Sequence, residues 1–467
     1  MCIRDSATEV TVPVQAGPGA VVLGNDASLG QVTVRVANPA MAPAVLDGPE
    51  PARVRFSGGG PAGEPGPTQT LVAGTLRYRE CMGADVMPSP AVPLDAERCV
   101  LTGAGEPVFK PIRRARVEVW DQSVGPNALR AVVDTDDAGA FRAIVPASGL
   151  YDVTVVASSS AGRVGFENDA VTWFWAPLRL TQPGVPNGTT RFDFAFTRKV
   201  DARHFNALDA ITRGLEYAVV RSGIAASAVD ETFRKTVVIP GDGVIGANTH
   251  RVGHATHIWI HSGVDVFEDE VLLHEYGHHM QHANGTYNAW GVFQNFCYTS
   301  VVLGVCTDRM QPPGGTDTAG DTGCWVNSEQ LAWFEGFPDY FERVVMDFDA
   351  GRSFTRSNID GLLFDPRPSR ACPLVSGTTA HFNHLNERIT PAAIPNYVSG
   401  VLRDLPGETV MGTSGPLSRR EIEEKVFGIF RGPLRDTPAT VTLFKDRWSD
   451  QFPTDLSLSA LMSRYGM

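Results

Sequence analysis

The chain is predicted to be multidomain, an all-β sandwich followed by an α+β domain. Three observations carry that prediction. At 467 residues it exceeds what one hydrophobic core ordinarily organises. Between Leu71 and Thr197, apolar residues recur with period two in short segments parted by turn residues. Beyond Lys199 the spacing changes to the three-and-four pattern of amphipathic helices. The expected divisions are 1–70, a leader with a partial β segment and a Gly/Pro linker; 71–198, the sandwich; and 199–467, the α+β domain.

Within 1–70, Gln31–Val36 reads as a strand because Val32, Val34 and Val36 alternate with polar partners. The run from Gly58 to Pro67 has linker composition. Sandwich strands are expected at Thr75–Tyr78, Ala115–Trp120, Ala140–Val145, Tyr151–Val156 and Arg191–Phe196. Val117 and Val119 alternate with Arg116 and Glu118, and Tyr151, Val153 and Val155 with Asp152 and Thr154. Phe192, Phe194 and Phe196 alternate with Asp193 and Ala195 in the same way. That period marks strands with one buried face, paired antiparallel. Thr135–Phe141 is the turn joining two of them. Asp134, Asp136 and Asp137 read there as solvated turn carboxylates, with Ca²⁺ binding as the alternative.

A net charge of −12 gives no support to a nucleic-acid or anionic-membrane partner. No apolar run approaches the length of a bilayer span. The first ten residues, MCIRDSATEV, lack a signal-peptide pattern, so compartment rests on the seven cysteines. Cys81 and Cys99 bracket one loop and are expected to pair. Cys297, Cys306, Cys324 and Cys372 share a later region and allow three pairings, with Cys2 left over. No C-x-x-C occurs, which argues against a zinc ribbon or a redox dithiol. Disulfides would place the chain in an extracellular or cell-envelope setting, and buried free thiols in the cytosol are the alternative.

Ala202–Gly223 carries Leu208, Ile211, Leu215 and Val219 at helical spacing, and Thr236–Pro240 and Thr256–His261 read as short strands. The chemistry lies in Val264–Gly285, VDVFEDEVLLHEYGHHMQHANG. Asp265 and Glu268 form a capping-box-like start and Asn284-Gly285 a stop, so one helix of about five turns is expected. His274 and His278, four residues apart, leave the same helix face one turn apart. That is the separation at which two imidazole nitrogens meet one tetrahedral Zn²⁺ at about 2.0–2.1 Å. Glu275 points to the side, where it can act as general base on water acidified by the metal. Two histidines on an exposed helix are the bland alternative. The apolar Val271-Leu272-Leu273 backing, and Gly277 as room for another backbone, favour a metal-bearing helix. His279 and His282 follow, and His282, about 80° around from His274, is expected beside the ligands or on the surface.

A zinc hydrolase keeps three protein ligands and reserves a position for water. The place of a third histidine in the longer H-E-x-x-H-x-x-G-x-x-H pattern is Asn284, so that pattern fails and the alternative is a carboxylate from a second helix. Asn327–Asp347, NSEQLAWFEGFPDYFERVVMD, supplies one, with Asn327 and Gln330 as a capping box and Leu331, Phe334, Phe341 and Val345 as a core stripe. Glu335 stands in an apolar stretch where an unpaired carboxylate would be costly. Asp339, four residues on, shares its face and can accept the second N–H of a ligand histidine. Glu329 and Glu342 are rival third ligands, Glu329 nearly two turns earlier. Pro338 removes a backbone hydrogen bond just past Glu335 and predicts a kink or a break.

HEYGH followed by EGFPDYF resembles the gluzincin branch of zinc peptidases, the thermolysin-like superfamily, and NYVSGVLRDL (Asn396–Leu405) resembles a later helix of such proteins. The likeness covers about residues 200–410 in order, with the identity concentrated in the two helices. It implies a zincin-like domain with one catalytic Zn²⁺ and a peptide or protein substrate. It also implies ligands His274, His278 and Glu335, Glu275 as general base, and Asp339 behind a histidine. The strand His257–His261 would align an extended peptide by main-chain pairing, which favours endopeptidase activity. The long gap between His278 and Glu335 implies a looped-out insertion carrying Cys297, Cys306 and Cys324. The residue stabilising the oxyanion stays open among His381, His384 and Tyr397. RRARVEVWD, DTDDAGAFRAIVP and YDVTVVAS likewise resemble the Ig/prealbumin-like, carboxypeptidase-regulatory-like sandwich found beside secreted hydrolases. The competing class is a binding or adhesion protein whose zincin module has lost activity; the presence of Glu275 and all three ligands argues against it.

Overall fold

The computed structural model describes residues 8–13, 31–36, 64–82, 92–124, 128–147, 149–167, 175–189, 191–222, 235–239, 257–260, 265–283, 329–348, 392, 395–408, 410–412, 415–435, 437 and 439–467. Over them the chain combines β-sheets with helices, the sheets concentrated before residue 197 and the helices after 199. The strands are β1 (Thr8–Pro13), β2 (Gln31–Val36), β3 (Gln69–Arg79), β4 (Phe109–Pro111), β5 (Arg116–Asp121), β6 (Leu129–Asp134), β7 (Ala140–Pro146), β8 (Leu150–Val156), β9 (Ser158–Ser159), β10 (Gly162–Glu167), β11 (Trp175–Pro177), β12 (Arg179–Pro186) and β13 (Phe192–Phe196). There follow α1 (Lys199–Ser222), β14 (Lys235–Ile239), β15 (His257–Trp259), α2 (Asp269–Ala283), α3 (Glu329–Phe348), α4 (Pro395–Asp404), β16 (Met411–Gly412), β17 (Gly415–Pro416), α5 (Arg419–Arg431), α6 (Val441–Gln451) and α7 (Ser457–Arg464). Among the described residues no helix is long and apolar enough to cross a membrane.

Two compact units divide the chain. The first holds β1 to β13, most of β14 and α1 as far as Asp209; the second holds the rest of α1 and the later elements. The helix that begins at the expected boundary, residue 199, therefore contributes to both.

In the first unit one sheet runs β12-β8-β5-β6, all antiparallel. In another, β3 is flanked by β13 on one side and by β7 and then β4 on the other. β9, β11 and β14 gather on β10. The period-two pattern reads out directly: Val117, Val119, Tyr151, Val153 and Val155 are all buried. Two expectations are corrected. β13 pairs with β3 in parallel, so the unit is not purely antiparallel. Glu118 does not face water: it is 2% exposed, with Trp120 Nε1 at 3.1 Å, Arg116 Nε at 3.0 Å and Arg179 from β12 on its carboxylate. A buried carboxylate is tolerable only with such partners. The turn carboxylates also have partners. Asp136 Oδ1 accepts the amides of Ala138 (2.9 Å) and Ala140 (2.8 Å), while Asp137 pairs with Arg113 and Arg114. Gly139 adopts φ +76° there, a left-handed conformation that favours glycine. The expected disulfide joins Cys81 to Cys99. Cys2, Cys297, Cys306, Cys324 and Cys372 lie outside the described residues.

The second unit is built on aromatic packing. Tyr217 meets Phe341 (6.0 Å between ring centres) and Phe427 (5.8 Å), Phe337 stacks on Phe430 at 4.1 Å, and Trp333 on Phe444 at 5.6 Å. Gly214 on α1 is a near-contact point: an added Cβ would lie 3.0 Å from Tyr276, 3.2 Å from Leu273 and 3.3 Å from Phe341. The back of α2 and one face of α3 thus share a single apolar seat, with Leu272, Leu273, Phe341 and Val345 fully buried.

In the first half of α1, His204 is fully buried with Nδ1 3.0 Å from the Val200 carbonyl. Burial, reinforced by Arg203, lowers its pKa from 6.5 to about 3. The unfolded chain takes up this proton below pH 6.5 and the folded chain does not until about pH 3. Stability is therefore whole above 6.5 and falls as the pH drops towards 3, by about 1.4 kcal/mol per pH unit from this group. His204→Gln should flatten the acid limb by that slope, measured as urea midpoints between pH 4 and 7; parallel curves for the two proteins would refute the assignment.

Candidate metal centre

A 3₁₀ turn at Asp265–Phe267 precedes α2, and the α-helix proper starts at Asp269, with Leu272 N–H bonded to Glu268 O at 3.2 Å. The helix thus starts later than expected and runs to Ala283; the expected Asn284-Gly285 stop lies outside the described residues. α3 continues through Pro338 without the break that was one of the two expected outcomes. The proline is accommodated from the opposite helix. Gly277 faces the proline, and a Cβ there would stand 2.7 Å from Pro338 Cα. A glycine groove receives the proline ring, and the two backbones come closer than any side-chain-bearing pair would permit.

That close crossing brings the predicted residues together. His274 Nε2 and His278 Nε2 are 3.1 Å apart, and Glu335 Oε2 is 3.4 Å from each. Donors on a tetrahedral ion with bonds of 2.0–2.1 Å stand about 3.3–3.4 Å from one another. The triangle therefore has the dimensions of one face of a zinc coordination sphere. Glu335, not Glu329 or Glu342, supplies the oxygen facing both rings. A Glu275 carboxylate oxygen lies within 4.8 Å of a ring nitrogen of each histidine. His278 is 2% exposed, whereas His274 is 21% and Glu335 25%, so the cluster opens to solvent along one edge.

Behind the triangle each imidazole is held by its other nitrogen. His274 Nδ1 lies 2.9 Å from Asp339 Oδ1, and His278 Nδ1 3.2 Å from Gln281 Oε1. Phe334 stacks on the His278 ring at 4.0 Å. With Nδ1 engaged, Nε2 is the nitrogen left to bind a cation. The electrostatics agree. Burial would lower the His274 pKa, but hydrogen bonds to Asp339 and Glu335 outweigh it and hold it well above 6.5. Burial would raise Glu335, but His278 and His274 pull it far below the usual carboxylate range. The pocket stabilises positive charge at its centre.

Beyond Asp339 lies an acidic layer. Glu342 is buried within 4.8 Å of Asp339 and a His274 nitrogen, and Arg343 lies 3.4 Å from Glu342 and 3.7 Å from Glu270. Gln281 and Phe334 were not singled out as site residues by sequence. The signal available was spacing, since Gln281 stands three residues after His278 on the same helix face. His279 is buried against Tyr276 rather than in the triangle. Tyr397 is buried edge-on to Tyr465, burial pushing its hydroxyl up to about 12, and no hydrogen bond or ring contact among the described residues links it to the three donors. His381, His384 and the His282 side chain lie outside the described residues.

No family model matches the chain, and no curated protein matches it. Among solved structures, a 9R-lipoxygenase from Cyanothece PCC8801 aligns at 14% identity over 39% of this chain and 29% of its own, with a TM-score of 0.14. That likeness is too slight to bear on fold or function.

Two outcomes follow from this geometry. Asp339→Ala should weaken zinc binding about 10–100-fold in competition with a chromophoric chelator; unchanged affinity would mean that Asp339 does not hold His274. Gly277→Ala should lower both the melting temperature and the zinc affinity. Adding Pro338→Ala should not restore either, because the nearest atom is a Cα; full rescue would show that the proline ring, not the backbone approach, sets the contact.

Proposed function

We propose that this chain is a zinc-dependent peptidase with a gluzincin-type ligand set, acting on a peptide or protein substrate. One observation carries the reading: Glu335 Oε2 stands 3.4 Å from the Nε2 atoms of both His274 and His278, which are themselves 3.1 Å apart. Three donors of the right kinds at tetrahedral spacing, held from behind by hydrogen bonds, are what a catalytic zinc site requires. On this reading the second unit is a zincin-like domain and the first an Ig/prealbumin-like sandwich. The sheet pairings and the alternating buried strands of the first unit support the latter. The Cys81–Cys99 disulfide supports a secreted or cell-envelope setting.

In the mechanism His274, His278 and Glu335 would hold the ion, and Asp339 and Gln281 keep the imidazoles aimed. Zinc, when bound, supplies Lewis acidity, which polarises the scissile carbonyl and acidifies water. Glu275 takes the proton from the attacking water and returns it to the leaving amine, so that the peptide C–N bond breaks as the new C–O bond forms. Its flank position, close to both histidines without replacing Glu335, suits a proton carrier. β15 precedes the metal helix, where an extended substrate can pair with its main chain.

The test is a peptide-library digest by the full-length, disulfide-intact protein, with and without chelator, beside Glu275→Gln. The wild type should cleave in a chelator-sensitive manner. The variant should retain one zinc per chain and lose turnover by about 10²–10⁴-fold. Absence of chelator-sensitive cleavage by the zinc-loaded wild type, or a variant as active as its parent, would overturn the proposal; the first result would favour a zincin module used only for binding.

A further inference from the structure

Gln281 makes two hydrogen bonds in two directions. Its Nε2 lies 3.2 Å from the backbone carbonyl of Trp333, and its Oε1 lies 3.2 Å from His278 Nδ1. Gln281, Trp333 and His278 are all buried. A backbone carbonyl can only accept, so the amide nitrogen must be the end that faces Trp333. The carbonyl end is then the one offered to His278, and Nδ1 of that ring must carry the proton. The lone pair is left on Nε2, the atom in the triangle. Turning the amide over would set oxygen against oxygen across one bond and N–H against N–H across the other, in a site without solvent to compensate.

Trp333 stands on α3, two residues before Glu335. The carbonyl that orients Gln281 therefore belongs to the helix that delivers the third donor. The Gly277–Pro338 contact lies on the other side of His278 and of Glu335, and the order reverses between helices: 277 and 281 on α2 face 338 and 333 on α3. The two contacts bracket the donors and pin the helices antiparallel. A slip of one residue would move a helix by about 1.5 Å, well beyond the ±0.2 Å tolerance of a metal–ligand bond.

Building on the zinc-site reading above, we propose that Gln281 is a positioning residue: it fixes His278 in the Nδ1–H tautomer and makes that tautomer conditional on the docking of α3. The ligand histidine is set correctly only when the helix carrying Glu335 is in register.

Zinc affinity of the full-length protein, measured against a chromophoric chelator, tests this with two variants. Gln281→Met fills the space without an acceptor and should bind zinc about 10–100-fold more weakly, with the zinc-free melting temperature near that of the wild type. Gln281→Glu, in its protonated form, keeps both an acceptor for Nδ1–H and an O–H donor for the Trp333 carbonyl, and should recover a substantial part of the loss. The proposal is overturned if the Met variant keeps wild-type affinity, or if the Glu variant binds no better than the Met variant, since a purely packing role would produce one or the other. Should the Met variant fail to fold, ¹⁵N-histidine spectra of the zinc-loaded wild type decide: a His278 Nδ1 proton protected from solvent exchange supports the assignment, and a rapidly exchanging one sinks it. A wild type that binds zinc but gives these negative results leaves the peptidase reading standing, whereas one that binds no zinc sinks both.

Discussion

Two imidazole nitrogens and a carboxylate oxygen, all within 3.4 Å of one another, form a cluster in which every member presents a lone pair. Such a cluster repels itself unless positive charge occupies its middle, and the surrounding fold must hold it in place. The directions of the pKa shifts express the same demand: His274 is driven to keep a proton and Glu335 to lose one, each against the pull of burial. Much of the second unit can be understood as the means of enforcing this arrangement. The Gly277–Pro338 crossing sets how near the helices come, and the outer hydrogen bonds of Asp339 and Gln281 set where the rings point.

Rigidity behind the donors comes from the apolar seat. Gly214 allows α1 to lie against Tyr276, Leu273 and Phe341 at once, so one helix braces the metal helix and its partner together. Phe337 and Trp333 extend that seat to α5 and α6. Interiors packed at this density respond to a lost or added methyl by shifting neighbours, and a shift of a few tenths of an ångström is already large on the scale of a metal bond. Precision at the cluster is therefore a property of the aromatic packing as much as of the ligands themselves.

The parts legible in the sequence are those governed by local periodicity. His274 and His278 at i, i+4, Glu335 and Asp339 at the same spacing on a second helix, and the alternating valines of β5 and β8 follow from helix and strand geometry alone. The parts that were not legible depend on contacts distant in sequence. Glu118 looked solvent-facing because its own strand alternates, yet Arg179 arrives from β12, a strand whose mixed pattern gave no period to read. The parallel pairing of β13 with β3 joins segments about 120 residues apart, and nothing local encodes direction. Pro338 looked like a helix breaker because the rule concerns a single helix; what the rule could not show is that a glycine on another helix, Gly277, faces the proline and lets the two backbones approach. Gln281 was overlooked for the same reason, since its amide gains meaning only once Trp333 of α3 is known to face it.

The acidic layer beneath the site raises a question of charge that the geometry answers. Asp339, Glu342 and Glu270 lie close together with Arg343 as the cation between the last two, and three ionised carboxylates there would be expensive to bury. Burial, opposed by Arg343 and reinforced by Asp339 and Glu270, holds the Glu342 pKa well above the usual carboxylate range. Burial beside Asp339 and Glu270 thus disfavours the charged form of Glu342. Arg343 lies between Glu342 and Glu270 as their shared cation, and Asp339 is the member of the layer within hydrogen-bond distance of His274. One helix thus carries Glu335, Asp339 and Glu342 with their charges differently placed: Glu335 Oε2 stands 3.4 Å from both ring nitrogens, while Glu342 is buried where its charged form is disfavoured.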